Sequence, residues 1–257
     1  MIKKALLAIK TIKNLHVLFF DYLGLLNGDV IYLLRNGMKF IARGGTTDYS
    51  EIIINAGDSE YPSDLYPTAK NPVIIDAGAN IGETAIFMYK RLQKNKPIIY
   101  ALEPNSNNYS YLERNIMLNE TLSIRPLHVA LTDKTGIGKL NFNKNSFDGG
   151  FVNNVRKKES TTSEKICTTT LQDLCKTNKI SNVDLIKMDI EGSEYSVFDT
   201  SMKFIKSNVK TIFVELHNIS ETKNYEVFKK NIIKEGFSIK REIMNRTLFL
   251  QNDNIRL

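Results

Sequence analysis

Tryptophan is absent from this 257-residue chain, and only two cysteines and three histidines are present. No metal-ligand spacing of Cys and His surrounds Cys167 or Cys175. This argues against a disulfide framework or a zinc knuckle and points to reduced thiols in a cytoplasmic protein. Long apolar runs are missing as well. The opening stretch MIKKALLAIKTIKNLHVLFFDYLGLL has lysines ahead of apolar residues, as a leader or anchor would. Lys10, Lys13 and Asp21 interrupt it well short of the roughly 18 to 20 residues a spanning helix needs, and no clean apolar core precedes a small-residue cleavage site. Ile2, Ala5, Ile9 and Ile12 fall on one helical face with Lys3, Lys4 and Lys10 away from it. That pattern predicts an amphipathic helix docked on its own domain, with contact to an anionic membrane surface as the alternative.

Acids are the minority among charged residues: the net charge is +7 and the sequence pI about 9.2. A nucleic-acid partner would want this charge clustered, yet the lysines are spread along the chain and RKKES (Arg156 to Ser160) is the single tight basic cluster. The excess therefore reads as a solvated surface, and nucleic acid is not the expected partner. There are no repeats and no low-complexity linker. With 42% apolar residues, the chain has the length and composition for a substantial core.

What is present is an alternation. From residue 71 onward, short apolar runs exchange with longer amphipathic ones, the pattern of a parallel sheet with crossover helices. VIIDAG, PIIYALEP and IRPLHVAL read as the first three strands, with helices over ETAIFMYKRLQK and NSNNYSYLERNIMLN. GKLNFNKN and KICTTTL are strand-like, and the polar stretch from Asn145 to Glu164 between them reads as a loop. VDLIKMDIEG and VKTIFVELH continue the sheet, and FSIKREI with TLFLQN predicts an antiparallel pair at its edge. Ahead of this core, DVIYLLRNGMKFIARGG predicts a hairpin with a two-residue turn at Asn36-Gly37. Residues 1–70 thus form an N-terminal extension of helix and hairpin, and 71–257 the α/β domain.

The segment DAGANIG lies between the first core strand and its helix, where open α/β sheets bind ligands. Gly78 and Gly82 permit a tight turn and close backbone approach. A dinucleotide fingerprint wants G-x-G-x-x-G, whereas here the spacing is G-A-N-I-G behind an acid, Asp76. An acid would repel a pyrophosphate and attract an ammonium, which favours S-adenosylmethionine over NAD. Glu103, closing the second strand, can accept both hydroxyls of a ribose without naming the cofactor.

The segments VIIDAGANIGETA, YALEPNSNNYSYLERN, HVALTDKTG, TTTLQDL and VDLIKMDIEGSEYSVF, in that order, resemble the FkbM family of S-adenosylmethionine-dependent methyltransferases. The upstream YLLRNGMKFIARGGTTDYSEI is similar to the family's lead-in, which also points to Asp48, Glu60 and Tyr61 near the acceptor. The resemblance implies a class I methyltransferase fold: a Rossmann-like, mostly parallel sheet ending in an antiparallel hairpin, with helices on both faces. It implies O-methylation of a sugar, glycan or small-metabolite hydroxyl. Carried to matching positions, Asp76, Gly78, Asn80 and Gly82 form the loop at the methionine end and Glu103 holds the ribose. Asn105, Ala130 and Leu131 border the adenosine.

The remaining strand ends supply the chemistry. MDIEG brings Asp189 and Glu191, and VELH brings Glu215 and His217, which period-two alternation places on one side of their strand. These four are the candidate catalytic residues, with His217 expected to act as base when neutral, near its ordinary pKa of about 6.5. Some methyltransferases resembling this one hold magnesium on carboxylates at these strand ends. Asp189 and Glu215 would suit that ion, but no third ligand is legible and no metal residues are assigned. Lys187 alternates with Asp189 and either approaches the site or is structural. His16 and His128 have no comparable company. An amine-directed nucleic-acid methyltransferase would show Asn/Asp-Pro-Pro and an aromatic where MDIEG stands. A non-catalytic cofactor-binding module remains an alternative.

Overall fold

The computed structural model describes residues 2–57, 61–143, 149–151 and 161–255. The chain opens with helices α1 (Ile2–Thr11) and α2 (Leu15–Tyr22), a hairpin of β1 (Asp29–Leu33) and β2 (Lys39–Arg43), and helix α3 (Asp48–Ala56). The predicted buried face of α1 requires correction. Ala8 and Ile12 are buried and Leu7 packs beside them, while Ala5 and Ile9 are exposed. Leu7 is seated against Gly57, where an added Cβ would come within 2.6 Å of it, so contact with the end of α3 sets the rotation of the helix. The hairpin turn is also different. Leu34 and Met38 bracket three residues, with hydrogen bonds from Gly37 N–H to Leu34 O and from Leu34 N–H to Met38 O. Gly37 alone takes a positive φ, +89°, whereas a two-residue Asn-Gly turn of the favoured type needs one at Asn36 too.

The core follows as β3 (Val73–Ala77), α4 (Glu83–Leu92), β4 (Ile98–Leu102), α5 (Ser106–Leu118) and β5 (Ile124–Leu127). A second set comprises β6 (Ala130–Leu131), β7 (Gly136–Asn143), β8 (Gly149–Phe151), β9 (Thr161–Thr169) and α6 (Leu171–Thr177). The chain then completes the main sheet with β10 (Val183–Met188), α7 (Glu194–Asn208), β11 (Val209–Glu215), α8 (Tyr225–Lys234), β12 (Phe237–Ile243) and β13 (Thr247–Asn252). Seven strands lie in the order β12-β13-β11-β10-β3-β4-β5, and β13 alone runs against the others, antiparallel to both β11 and β12. This is the mostly parallel sheet with an antiparallel terminal hairpin that the sequence predicts.

Period-two alternation divides the core cleanly. Ile74, Leu185, Phe213 and Phe249 face the cluster built with α1, the hairpin, α3, α4 and α5. Their neighbours Ile75, Ile186, Ile212 and Leu250 face the cluster shared with α6, α7 and α8. Each face of the sheet is therefore sealed by helices, as parallel strands require.

The N-terminal hairpin is fastened to α5 by side chains. Asn115 donates to Ile41 O (3.0 Å) and accepts from Ile41 N–H (2.7 Å). Asn119 does the same at Lys39, accepting at 3.0 Å and donating at 2.6 Å. Asn115 also donates to Ile81 O at 2.9 Å, so one residue joins the hairpin to the loop after β3.

Two further expectations change. IRPLHVAL is not one strand, because Val129 N–H turns back onto Leu127 O and the chain leaves the sheet edge. Ala130 and Leu131 then pair with Thr168 and Thr169 in a separate four-stranded sheet, β6-β9-β7-β8. Part of the stretch from Asn145 to Glu164 is also sheet rather than loop: β8 pairs with β7, and β9 already begins at Thr161. Residues 144–148 and 152–160, with the basic cluster RKKES, lie outside the described residues.

Candidate functional site

Strand order reverses between β3 and β10, so the loops leaving these strands meet at the carboxyl edge of the sheet. They meet closely. At Gly78, φ is +80° and an added Cβ would stand 1.8 Å from the Asp189 carbonyl oxygen, so only glycine fits. Asn80 holds a left-handed φ of 48° without being glycine. Gly82, at φ +93°, begins α4 with Leu112 packed against it.

Glu103 pins this loop from the next strand end. It accepts from Asn80 N–H and Asn105 N–H, each at 2.9 Å, and is buried. Burial pushes its pKa up to about 7, against the pull of the two backbone donors. Asn105 caps α5, its Oδ1 accepting from Asn107 and Asn108 N–H. Its buried Nδ2 has no partner among the described residues.

A cleft of about 300 Å³ opens here, lined by Gly78, Asn80, Glu103, Asn105, Ala130 and Leu131 on one side and by Asp189, Glu191, Glu215 and His217 on the other. The structure therefore brings the predicted cofactor loop and the predicted rim into one cavity. Asp76 and Gly82 do not line it. Asp76 is fully buried beneath the loop with Lys187 Nζ 3.3 Å from Oδ1, so of the two routes to an ammonium that the sequence allows, direct or through water, the direct one is not offered. Lys187 instead faces the cleft and donates to Gly78 O at 2.8 Å. Burial alone would lower the Lys187 pKa, but Asp76, Asp189 and Glu83 outweigh it and hold the ammonium charged. Burial raises Asp76 despite the opposing lysine, and raises Glu83 well above the usual carboxylate range.

The rim is organised around His217. Its Nδ1 is 3.0 Å from Glu194 Oε1, a carboxylate buried at the start of α7 that also accepts from Ile190 N–H. Its Nε2 lies 3.5 Å from Glu191, 3.9 Å from Asp189 and 3.9 Å from Glu215. Burial would lower the imidazole pKa, but the Glu194 hydrogen bond and the charges of Glu194, Glu191 and Asp189 push it up to about 9. That direction favours the imidazolium at neutral pH, whereas 6.5 is the value expected of an unperturbed ring. Arg246, from the turn before β13, reaches Glu215 at 2.6 Å. Asp189, Glu191 and His217 present ligand atoms within 4.8 Å of one another, a grouping suited to a divalent cation. The sequence assigns no metal residues, though Asp189 and Glu215 read as suited to magnesium; the grouping in the structure includes Asp189 with Glu191 and His217 and leaves out Glu215.

Glu194, Arg246, Glu83 and Glu51 are cleft or supporting groups that sequence reasoning missed. Glu194 had a signal, being the third acid of DIEGSE, but it reads as an ordinary first-turn helix acid. Of the lead-in residues, Tyr61 lines the cleft with its ring under the Lys187 ammonium. Asp48 does not line it: it is buried in a two-pronged pair with Arg43, at 2.8 and 2.7 Å. Glu60 lies outside the described residues. His128 stacks on Tyr109 and approaches Pro104 O, and His16 is exposed away from the cleft.

The sequence matches the profile described as Methyltransferase FkbM domain over residues 76–241. It is similar to methyltransferase sdnD of Sordaria araneosa, 28% identical over 162 residues that cover 52% of this chain and 62% of that protein. Among solved structures it resembles methyltransferase FkbM from Methylobacillus flagellatus KT, with TM-score 0.52 and 17% identity, covering 80% of this chain and 53% of that one. The METTL16 MTase domain superposes with TM-score 0.50 and 11% identity, covering 98% of this chain and 92% of that one. The structural likenesses establish a shared fold. The chain spans less than two thirds of the length of sdnD and of the Methylobacillus protein.

Proposed function

Because the chain belongs to the FkbM methyltransferase family, we propose that it is an O-methyltransferase carrying the methyl group of S-adenosylmethionine to a hydroxyl of a sugar, glycan or small metabolite. One observation carries this reading: a glycine loop anchored by Glu103 and an acid-ringed His217 line the same cleft. The cleft suits the cofactor. Gly78 leaves no room for a side chain, Glu103 is a buried acceptor for ribose hydroxyls, and Asn105 Nδ2 is a buried donor awaiting a partner.

S-adenosylmethionine, when bound, supplies an electrophilic methyl on a sulfonium. The protein must then orient an acceptor hydroxyl and receive its proton. Asp189 and Glu191 are the groups to do so, since His217 already carries a proton at neutral pH. The imidazolium holds their carboxylates together, and Glu194 fixes the ring from behind. Ala130 and Leu131 offer an apolar wall on the nucleoside side.

Calorimetry with S-adenosylhomocysteine and with NAD, alongside a methyl-transfer screen of sugar and glycan acceptors, tests the reading; tighter binding of NAD would overturn it. With an authentic acceptor, Asp189→Asn, Glu191→Gln, Glu215→Gln and His217→Asn should each lower turnover while S-adenosylhomocysteine affinity stays within about tenfold. Unchanged turnover in all four would leave the rim as capping and packing groups. A second reading is favoured by the grouping of Asp189, Glu191 and His217, in which a divalent cation would displace the Nε2 proton of His217 while Glu194 orients the ring from Nδ1, as a second carboxylate does behind a metal-bound histidine. A divalent cation there would polarise the acceptor hydroxyl. Loss of activity in EDTA and its return with magnesium would select that reading.

A further inference from the structure

The exposed apolar surface of this chain is concentrated near its N-terminal end. Of the 14 large hydrophobic side chains exposed among the described residues, eight lie between Leu6 and Ile31. Helix α2 is apolar on both sides. Leu15, Val17 and Leu18 pack inward, while Phe19 (59% exposed), Phe20 and Leu23 cover the outer side with His16. Phe19 and Phe20 meet edge to face at 5.8 Å, and exposed Leu25 follows with its N–H bonded to Phe20 O. Helix α1 repeats the division, with Leu7, Ala8 and Ile12 inward and Leu6 and Ile9 outward. Docking on the core therefore uses one face and leaves a second apolar face in water.

Charge identifies what covers that face. Residues 1–20 include Lys3, Lys4, Lys10 and Lys13 and no acid, and Lys10 and Lys13 are exposed. Asp21, the single acid before Asp29, is turned inward: it is 3% exposed and accepts from the Tyr32 hydroxyl and from Gly45 N–H. No carboxylate before Asp29 thus opposes a negative surface, and Asp29 itself is paired with Arg114. Pairing with a second copy through a two-fold axis would bring the same lysines face to face. No described helix is long and apolar enough to cross a membrane. Aromatic and aliphatic side chains beside lysines, on helices too short to span, are the composition of a segment that lies in the plane of a bilayer.

We propose that α1 and α2 form an interfacial anchor that seats the protein on an anionic lipid bilayer, with Phe19, Phe20 and Leu23 at the acyl boundary and Lys10 and Lys13 at the headgroups. Flotation of the full chain with vesicles of phosphatidylcholine, alone or mixed with phosphatidylglycerol, tests this. The protein should float with the mixed vesicles and much less with the neutral ones. Phe19→Ser with Phe20→Ser should weaken the partition at least about tenfold. Lys10→Glu with Lys13→Glu should bring binding to mixed vesicles down to the neutral level, and circular dichroism should show both variants folded. The proposal is overturned if the unaltered protein fails to float with mixed vesicles or if both variants float as well as it does. A dimer in sedimentation velocity that the Phe19/Phe20 variant dissolves, with no vesicle binding, would assign the face to a second copy instead.

Discussion

Glu103 stands where burial and hydrogen bonding oppose each other, and the balance at about pH 7 makes it sensitive to its ligand. Its folded pKa lies above the ordinary 4.5, so its contribution to stability is fully present below 4.5 and is lost as pH rises through about 7. Ribose hydroxyls donate to the ionised carboxylate, so cofactor binding has the reverse preference. S-adenosylhomocysteine affinity should fall about tenfold from pH 8 to pH 6, and Glu103→Gln should flatten that dependence in calorimetry. Glu103→Ala should weaken binding by about 1 to 3 kcal/mol with the fold intact. A slope unchanged in Glu103→Gln would detach this residue from the ribose. The position of Glu103 was legible in PIIYALEP; its protonation was not, because that depends first on how deeply the fold buries the carboxyl and then on two N–H groups, one of them from the loop after another strand. His217 teaches the same lesson. The sequence placed it at a strand end, but Glu194, which fixes its charge, arrives from the start of another element.

Among elements, the contact between the loops after β3 and β10 governs the site. Gly78 has a backbone conformation and a steric neighbour that both exclude a side chain, so Gly78→Ala should lower stability by at least about 3 kcal/mol and abolish S-adenosylhomocysteine binding. Urea unfolding measures the first effect and calorimetry the second; a variant of wild-type stability would mean that the Asp189 carbonyl moves away freely. The glycine spacing announced a tight turn, and the period-two runs announced the strands it joins. What the runs did not announce was which sheet a strand enters. HVAL looks continuous with IRPL, yet β5 is the last strand of its sheet, and Ala130 finds its partner in β9. Likewise β8 is three residues with two glycines, too short for periodicity to distinguish from a loop.

For the molecule as a whole, the apolar alternation after residue 71 sufficed to read the sheet, whereas the N-terminal part is placed by apolar packing and polar contacts between residues distant in sequence, which local periodicity does not announce. Arg43 is buried between Asp48 and the Asn107 and Asn108 side chains at the start of α5. Asp48→Ala should therefore cost about 3 to 5 kcal/mol, since it strands a buried guanidinium, and a urea midpoint within error of wild type would show the pair to be dispensable. The asparagines of α5 have a consequence of another kind. A two-stranded hairpin ordinarily leaves a row of unsatisfied amides and carbonyls that a strand from another molecule can join. At Lys39 and Ile41 those groups are already taken by Asn119 and Asn115, so the helix impersonates the absent neighbour. That edge is thereby closed to templating fibrils or exchanging strands between copies by two carboxamides, while Asn14 takes Ile31 O and Leu33 N–H on the β1 edge, where Lys13 N–H also bonds to Leu33 O.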